Sequence, residues 1–209
     1  MHQSGPDLIA GVILAGGRAT RMGGDDKALL PLAGRPLVAH VVERLRPQVD
    51  LLALNANGDS GRFACLGLPV IADGFPDFPG PLAGLLAGLE WAAEMGADAV
   101  VTAAVDTPFL PRDLVARLDA AAAGAGAVAA VAATRGPEGL TLHPTFGLWP
   151  VERRAALAEA LATGSRRVRD WSAACGAATA VFDAEGEPFF NINTPDDLVR
   201  ARGLPVVIS

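Results

Sequence analysis

Sixteen of the seventeen basic residues in this chain are arginine, and the remaining one, Lys27, closes a glycine-rich loop. The loop reads Leu14-Ala15-Gly16-Gly17-Arg18-Ala19-Thr20-Arg21-Met22-Gly23-Gly24-Asp25-Asp26-Lys27. Its four glycines let backbone N–H groups approach phosphate oxygens closely, while Arg18, Arg21 and Lys27 add positive charge. Lysine supplies a compact ammonium where arginine supplies a wide planar fork, so a chain that otherwise uses only arginine has a reason to place lysine here. The spacing is neither GxxxxGK[ST] nor GxGxxG, which sets aside Walker-type and dinucleotide-binding loops. A second feature is Val105-Asp106-Thr107-Pro108. A carboxylate followed by a proline-set turn suits Mg²⁺, with phosphates and water completing the octahedron. Asp106 and Asp73 are each also ordinary turn residues when taken alone. Together with the loop, they point to a bound nucleotide.

Such residues need a scaffold that brings them to one edge. Strand-length apolar runs are predicted at Leu8–Leu14, Leu51–Asn55, Pro69–Ala72, Ala99–Ala104, Ala127–Ala133, Thr141–Leu148 and Ala178–Phe182. Amphipathic helices are predicted at Pro36–Arg46, Pro81–Met95, Pro111–Ala123, Val151–Ala162 and Pro195–Arg202. Prolines 36, 81, 111 and 195 stand at helix starts, where no N–H is required. Short continuous apolar strands alternating with helices predict a three-layer α/β/α, Rossmann-like domain around a mostly parallel sheet. In such sheets ligands lie outside the carboxyl ends of the strands. The segment Ala15–Lys27, Asn55, Asp73 and Asp106 all follow predicted strands and converge there.

The totals bound the remaining possibilities. A chain of 209 residues is expected to form one domain spanning 1–209. With 51% hydrophobic and 19% charged residues it packs a core without metals or disulfides. Its formal charge of −6 is opposite to the balance of proteins that track a nucleic-acid backbone. Cys65 and Cys175 form neither a disulfide framework nor a zinc site and are expected to be buried thiols. The apolar run Leu8–Ala15 is too short to span a bilayer and lacks a basic leader, so no membrane association and a cytoplasmic location are expected.

The motifs taken together resemble a known family. LAGG-x3-RMGG-x2-K, Gly80-Pro81-Leu82-Ala83-Gly84, Asp106-Thr107-Pro108, His143-Pro144-Thr145 and Phe190-Asn191-Ile192-Asn193-Thr194-Pro195 look like those of molybdenum cofactor guanylyltransferases. The opening pattern alone marks the wider nucleotidyltransferase superfamily; the joint occurrence is more specific. The resemblance implies a nucleotidyltransferase fold, with a nucleotide-binding part over about 8–110 and an acceptor-binding part over about 111–202. It implies transfer of GMP from GTP to the terminal phosphate of molybdenum-carrying molybdopterin, with release of pyrophosphate. By the same resemblance Leu14, Ala15, Gly16, Lys27, Asn55, Asp73 and Asp106 bind GTP. Lys27, Arg21 and Asp106 are then catalytic, and Asp106 holds Mg²⁺. His143, Arg166, Arg167, Asn191 and Asn193 line the acceptor region. The LAGG form, where cytidylyl relatives tend to show LAAG, favours guanine. Transient contacts with molybdenum-insertion proteins and apo-molybdoenzymes are further implications.

A phosphate monoester acceptor is already ionised near neutral pH, so no enzyme base is needed. That suits a chain with three histidines. His2 lies in the leader, His40 is expected on a helix where it packs or faces solvent, and His143 is expected in a turn that supports the second substrate. The arginine pair Arg166-Arg167 equally suits a solvated helix start. Two other readings fit many of the same residues: a different nucleotidyltransferase, such as a cytidylyl or sugar-phosphate enzyme, and a non-catalytic carrier of the finished cofactor. Nucleotide preference and acceptor identity separate the first. Loss of Lys27 or Asp106 would have favoured the second, and both are present.

Overall fold

Nearly every residue along the central strands is buried, because successive side chains of a strand point to opposite faces and both faces are covered. The computed structural model describes residues 8–16, 26–74, 80–137, 139–183 and 185–204. In chain order the elements are β1 (Ile9–Leu14), β2 (Pro31–Leu32), β3 (Arg35–Pro36), α1 (Leu37–Leu45), β4 (Leu51–Asn55), β5 (Val70–Ile71) and α2 (Pro81–Glu94). They continue as β6 (Ala99–Ala104), α3 (Leu114–Ala125), β7 (Ala130–Gly136), β8 (Gly139–Pro150), α4 (Arg154–Ala162), α5 (Val168–Ala174), β9 (Ala178–Phe182) and α6 (Pro195–Gly203). Seven strands form one sheet in the order β5-β4-β1-β6-β8-β7-β9. All its pairings are parallel except those of β8 with β6 and β7. The sheet is mostly parallel, as the alternation of strand and helix requires.

The two faces of the sheet bury different side chains. Ile13, Leu54, Val101 and Ala132 pack with Val38, Val41 and Leu45 of α1 and Leu114 and Leu118 of α3. Val12, Leu14, Val100 and Val131, their sequence neighbours, pack with Leu82, Leu85 and Leu89 of α2, Leu157 of α4 and Trp171 of α5. This is the three-layer arrangement. A third cluster of Leu32, Leu37, Phe109, Ile192 and Ala201 ties the β2–β3 hairpin to α6 and to the segment preceding it.

Several elements depart from the sequence-based boundaries. The small β2–β3 hairpin turns on Ala33 and Gly34, both at positive φ, and its prolines hide it from a strand pattern. His40 on α1 hydrogen-bonds the Leu32 carbonyl oxygen through Nε2 at 2.9 Å, so it packs the hairpin onto that helix. β7 begins at Ala130 rather than Ala127, because the N–H groups of Gly126 and Ala127 still bond to carbonyls of the last turn of α3. α3 begins at Leu114 rather than Pro111. Gln48 caps it from outside, with Oε1 accepting from Val115 N and Nε2 donating to the Pro111 carbonyl. α5 is a further helix, with Val168 and Trp171 buried. Cys65 is exposed, a correction to the expected buried thiol; on its 3-10 turn Phe63 is the buried residue. No described helix is long and apolar enough to cross a membrane.

Candidate active site

The chain runs β1, β4, β5 to one side and then crosses to β6 on the other side of β1. Between β1 and β6 the strand order reverses, and the crevice above such a switch point is where α/β sheets receive ligands. The end of β1 is fixed from both flanks. Ala15 N donates to the Asn55 carbonyl at 2.8 Å, and Val105 N donates to the Leu14 carbonyl at 3.1 Å. Leu14 and Ala15 are buried while Gly16 is exposed at the rim. Arg21, with the rest of Gly17–Asp25, lies outside the described residues.

On the β6 side, three distant segments meet at Lys27. Its Nζ donates to Asp106 Oδ2 at 2.7 Å and to Asn193 Oδ1 at 2.6 Å. Only 14% of the lysine side chain and 22% of the aspartate are exposed, so the pair is shielded more than a surface salt bridge. Thr107 lies within reach of both Asp106 Oδ1 (3.2 Å) and Asn191 Oδ1 (2.6 Å); its single proton goes to the closer oxygen. Ile192 N donates to the Asp106 carbonyl at 2.9 Å, which docks the asparagine segment against the end of β6. A capping box holds that segment from the other direction: Asp197 Oδ2 accepts from the backbone N–H groups of Asn193 and Thr194, and Thr194 Oγ1 accepts from Asp197 N. The Asn193 N–H, then the contacts with Thr194, hold the Asp197 carboxyl below its usual range.

On the β4–β5 side, a second polar group forms. Asn55 is 2% exposed, and its Nδ2 donates to Asp73 Oδ1 at 2.8 Å and to the Ile71 carbonyl at 3.2 Å. Asn57 grips the same aspartate twice, its Nδ2 donating to Asp73 Oδ2 at 2.7 Å and its Oδ1 accepting from Asp73 N at 2.9 Å. α2 reaches this group because Gly84 has no side chain: a Cβ there would collide with Asn55 Oδ1. This gives the Gly80-Pro81-Leu82-Ala83-Gly84 motif a physical basis. Gly80 takes φ 142 at the helix boundary, Pro81 opens the first turn, and Gly84 makes room for the asparagine. Asn57, Thr107 and the role of Gly84 were not singled out from sequence. The Asn-x-Asn spacing at the end of β4 was the available signal for Asn57.

The remaining candidates are more dispersed. His143 is on β8, not in a turn. β8 continues past its last pairing with β6, at Thr102↔Gly147, toward the edge where β6 ends. The turn-like character of His143-Pro144-Thr145 survives as an irregularity: Val131 pairs with Gly147 but Ala132 pairs with His143. Pro144 sits in that interruption, where no ladder N–H is needed. His143 stacks on Phe189 with ring centroids 4.5 Å apart and hydrogen-bonds Thr134 Oγ1 through Nε2 at 2.9 Å. Burial holds its pKa below the ordinary imidazole value. Arg166 and Arg167 precede α5. Arg166 Nη1 donates to the carbonyls of Leu161 at 2.9 Å and Ser165 at 2.7 Å, closing the end of α4, and the Arg166 carbonyl lies beside Gly80. Arg167 is the residue before the first turn of α5 and is exposed.

Whether Asp106 suits a divalent cation follows from its oxygens. Oδ2 is engaged by Lys27, whereas Oδ1 has only the weak 3.2 Å approach of the Thr107 hydroxyl. A hard carboxylate oxygen with lone-pair capacity remains. Among the described residues no three acidic, histidine or cysteine side chains gather into a metal cage. The fit is therefore to Mg²⁺ of the kind held by one carboxylate together with phosphate oxygens and water.

Comparison with known proteins places this arrangement. Residues 11–179 match the MobA-like NTP transferase domain family. The chain is 56% identical over 196 residues to a molybdenum cofactor guanylyltransferase of Cereibacter sphaeroides, covering 94% of this chain and 96% of the relative. It is 51% identical over 202 residues to one of Mesorhizobium japonicum, covering 94% and 95%. Among solved structures, it resembles molybdopterin-guanine dinucleotide biosynthesis protein A from Archaeoglobus fulgidus, with TM-score 0.69, 23% identity and coverage of 92% and 96%. It also resembles a 4-diphosphocytidyl-2C-methyl-D-erythritol synthase from Anaerococcus prevotii, with TM-score 0.73, 14% identity and coverage of 93% and 94%. At those identities the solved structures speak to the shared fold, whereas the two close relatives match in sequence across nearly their whole length. The chain belongs to the molybdenum cofactor guanylyltransferases, enzymes of the nucleotidyltransferase superfamily.

Proposed function

We propose that this enzyme transfers GMP from GTP to the terminal phosphate of molybdenum-carrying molybdopterin. An acceptor phosphate oxygen bonds to the α-phosphorus of GTP, the bond from that phosphorus to the α,β-bridging oxygen breaks, and pyrophosphate leaves. The observation that supports this reading most directly is the meeting of Lys27, Asp106 and Asn193 above the switch point. Such transfers are accelerated mainly by positioning and by charge placed where the phosphates crowd together. The Lys27 ammonium, held on two acceptors, supplies that charge from a fixed place. Asn55 and Asp73 present a polar wall to the nucleoside, and Gly16, exposed at the rim beyond the buried Leu14 and Ala15, lets backbone approach it. Asp106 would hold Mg²⁺, which when bound adds positive charge beside the nucleotide phosphates. We assign the acceptor to His143, Asn191, Asn193, Arg166 and Arg167, in the part of the chain over about 111–202, and the nucleotide to about 8–110. The activity is assigned to the cytoplasm, with molybdenum-insertion proteins and apo-molybdoenzymes as transient partners.

The test is incubation of the purified enzyme with molybdenum-loaded molybdopterin, Mg²⁺ and either GTP or CTP, followed by identification of the dinucleotide. A guanine dinucleotide and stoichiometric pyrophosphate are expected. Equal or greater product from CTP would overturn the guanine assignment.

A further inference from the structure

Arg62, on the 3-10 turn Ser60–Leu66 that follows β4, bonds to three separate points of the chain. Its Nε donates to Asp26 Oδ2 at 2.5 Å, its Nη2 to the Asn57 carbonyl at 2.8 Å, and its Nη1 to the Asp59 carbonyl. The side chains of Arg62 and Asp26 are 26% and 24% exposed, so the pair is largely shielded. Both ends of this bridge are already occupied. Asn57 is the residue that grips Asp73. Asp26 accepts from Ala28 N through Oδ1 at 3.1 Å, capping the short turn that begins with Lys27. Asp73, Asn57, Arg62, Asp26, Lys27 and Asp106 thus form one continuous run of contacts across the crevice.

We propose that Arg62 is a positioning residue that sets the spacing between the Asn55–Asp73 group and Lys27. This deepens the function proposed above, since it concerns how the nucleoside end and the phosphate end of one substrate are held in register. The cap fixes where the Lys27 backbone starts, and Arg62 fixes the cap relative to the end of β4. A planar guanidinium can serve three acceptors in one plane, which an ammonium on a flexible stem cannot reproduce. Displacement of a catalytic group by about 1 Å is enough to cost on the order of 10²-fold in rate.

The experiment compares Arg62→Ala, Arg62→Lys, Asp26→Asn and the Arg62→Ala/Asp26→Asn double variant. Asp26→Asn keeps a good helix cap and removes only the charge that Arg62 meets. Arg62→Ala and Asp26→Asn are each expected to lower kcat by about tenfold, on the scale of a lost positioning contact. The double variant should be no slower than the worse single variant, and Arg62→Lys should not restore the rate. In the ligand-free protein, hydrogen exchange over residues 26–30 should accelerate in Arg62→Ala. Unchanged kcat with only a lowered Tm, multiplicative losses in the double variant, full rescue by lysine, or unchanged exchange would overturn the proposal. Failure of the wild-type enzyme to form the guanine dinucleotide would overturn the function instead, while the exchange measurement would still decide the role of Arg62.

Discussion

Gly84→Ala tests whether α2 has been brought close to β4 for the sake of Asn55. A methyl group at this position would collide with Asn55 Oδ1 and lie 2.9 Å from Asn55 Cγ and 3.0 Å from Leu14 Cδ2. The asparagine backbone cannot retreat, because Asn55 is paired with Leu14 in the parallel ladder. Its side chain must rotate, which breaks the bonds to Asp73 and Ile71. Forcing an extra methyl into a packed site costs about 1–3 kcal/mol. A lost hydrogen bond adds about 1 kcal/mol, or somewhat more where the partner is charged. Replacing glycine inside a helix returns up to about 1 kcal/mol. The balance is about 2 kcal/mol of destabilisation, and at roughly 2–4 °C per kcal/mol for a chain of this size Tm should fall by about 4–8 °C. Gly124→Ala on α3 is the control, since nothing stands within 4 Å of its added methyl. It should gain about 0.5–1 kcal/mol and raise Tm by about 1–4 °C. Calorimetry on both variants, with the KM for GTP, reads the contrast. A Gly84→Ala protein as stable as the Gly124→Ala protein, with unchanged KM, would refute the packing and the nucleoside role together.

Three further outcomes are expected. Lys27→Arg keeps the charge but cannot place one small donor group 2.7 and 2.6 Å from two acceptors on different segments, so a folded enzyme with about 10²-fold lower kcat is expected; wild-type kinetics would make Lys27 an ordinary surface cation. Asp106→Asn preserves shape but removes the counter-charge of Lys27 and the hard oxygen suited to Mg²⁺, so turnover should collapse while circular dichroism stays native; full Mg²⁺-dependent activity would reduce Asp106 to a turn residue. Burial lowers the folded-state pKa of His143, so its contribution to stability is present above the unfolded imidazole value and is lost as pH falls through the lower folded value. Wild-type Tm should therefore fall as pH drops below about 6.5, above the range in which Asp197 titrates, and His143→Phe should flatten that slope; an identical slope in the variant would remove His143 as its source.

Lys27 and Asp106, which the fold brings together, stood out in the sequence as candidates because residue type and position after a strand are both visible locally. The strands themselves were legible from local pattern too: Ala99–Ala104 is an apolar run interrupted only by Thr102, and its bounds agree with β6. What escaped was set by contacts between distant segments. Asn193 could be assigned to a substrate region from its motif, but nothing near it announces a bond to Lys27, 166 positions away. The start of α3 was misplaced because its cap is Gln48, on another element. α5 is seven residues long, too short for a helical period to stand out. Arg62 carries no motif, and only the folded chain shows that its three acceptors surround one guanidinium.

The Lys27–Asn193 contact also bears on the order in which the structure is assembled during synthesis. Among the described residues every strand of the main sheet precedes residue 183, whereas Asn193 follows them all. A nascent polypeptide that has completed β9 already holds all seven strands, yet Lys27 still lacks one of its acceptors and the end of β6 lacks the bond from Ile192. Domains are made from the N-terminus at about 5–20 residues per second, so sheet formation has a head start over formation of the Lys27–Asn193 contact. Chains terminated early by ribosome stalling or cut by proteases before Ile192 would retain the strands while missing the segment that meets Lys27 and Asp106.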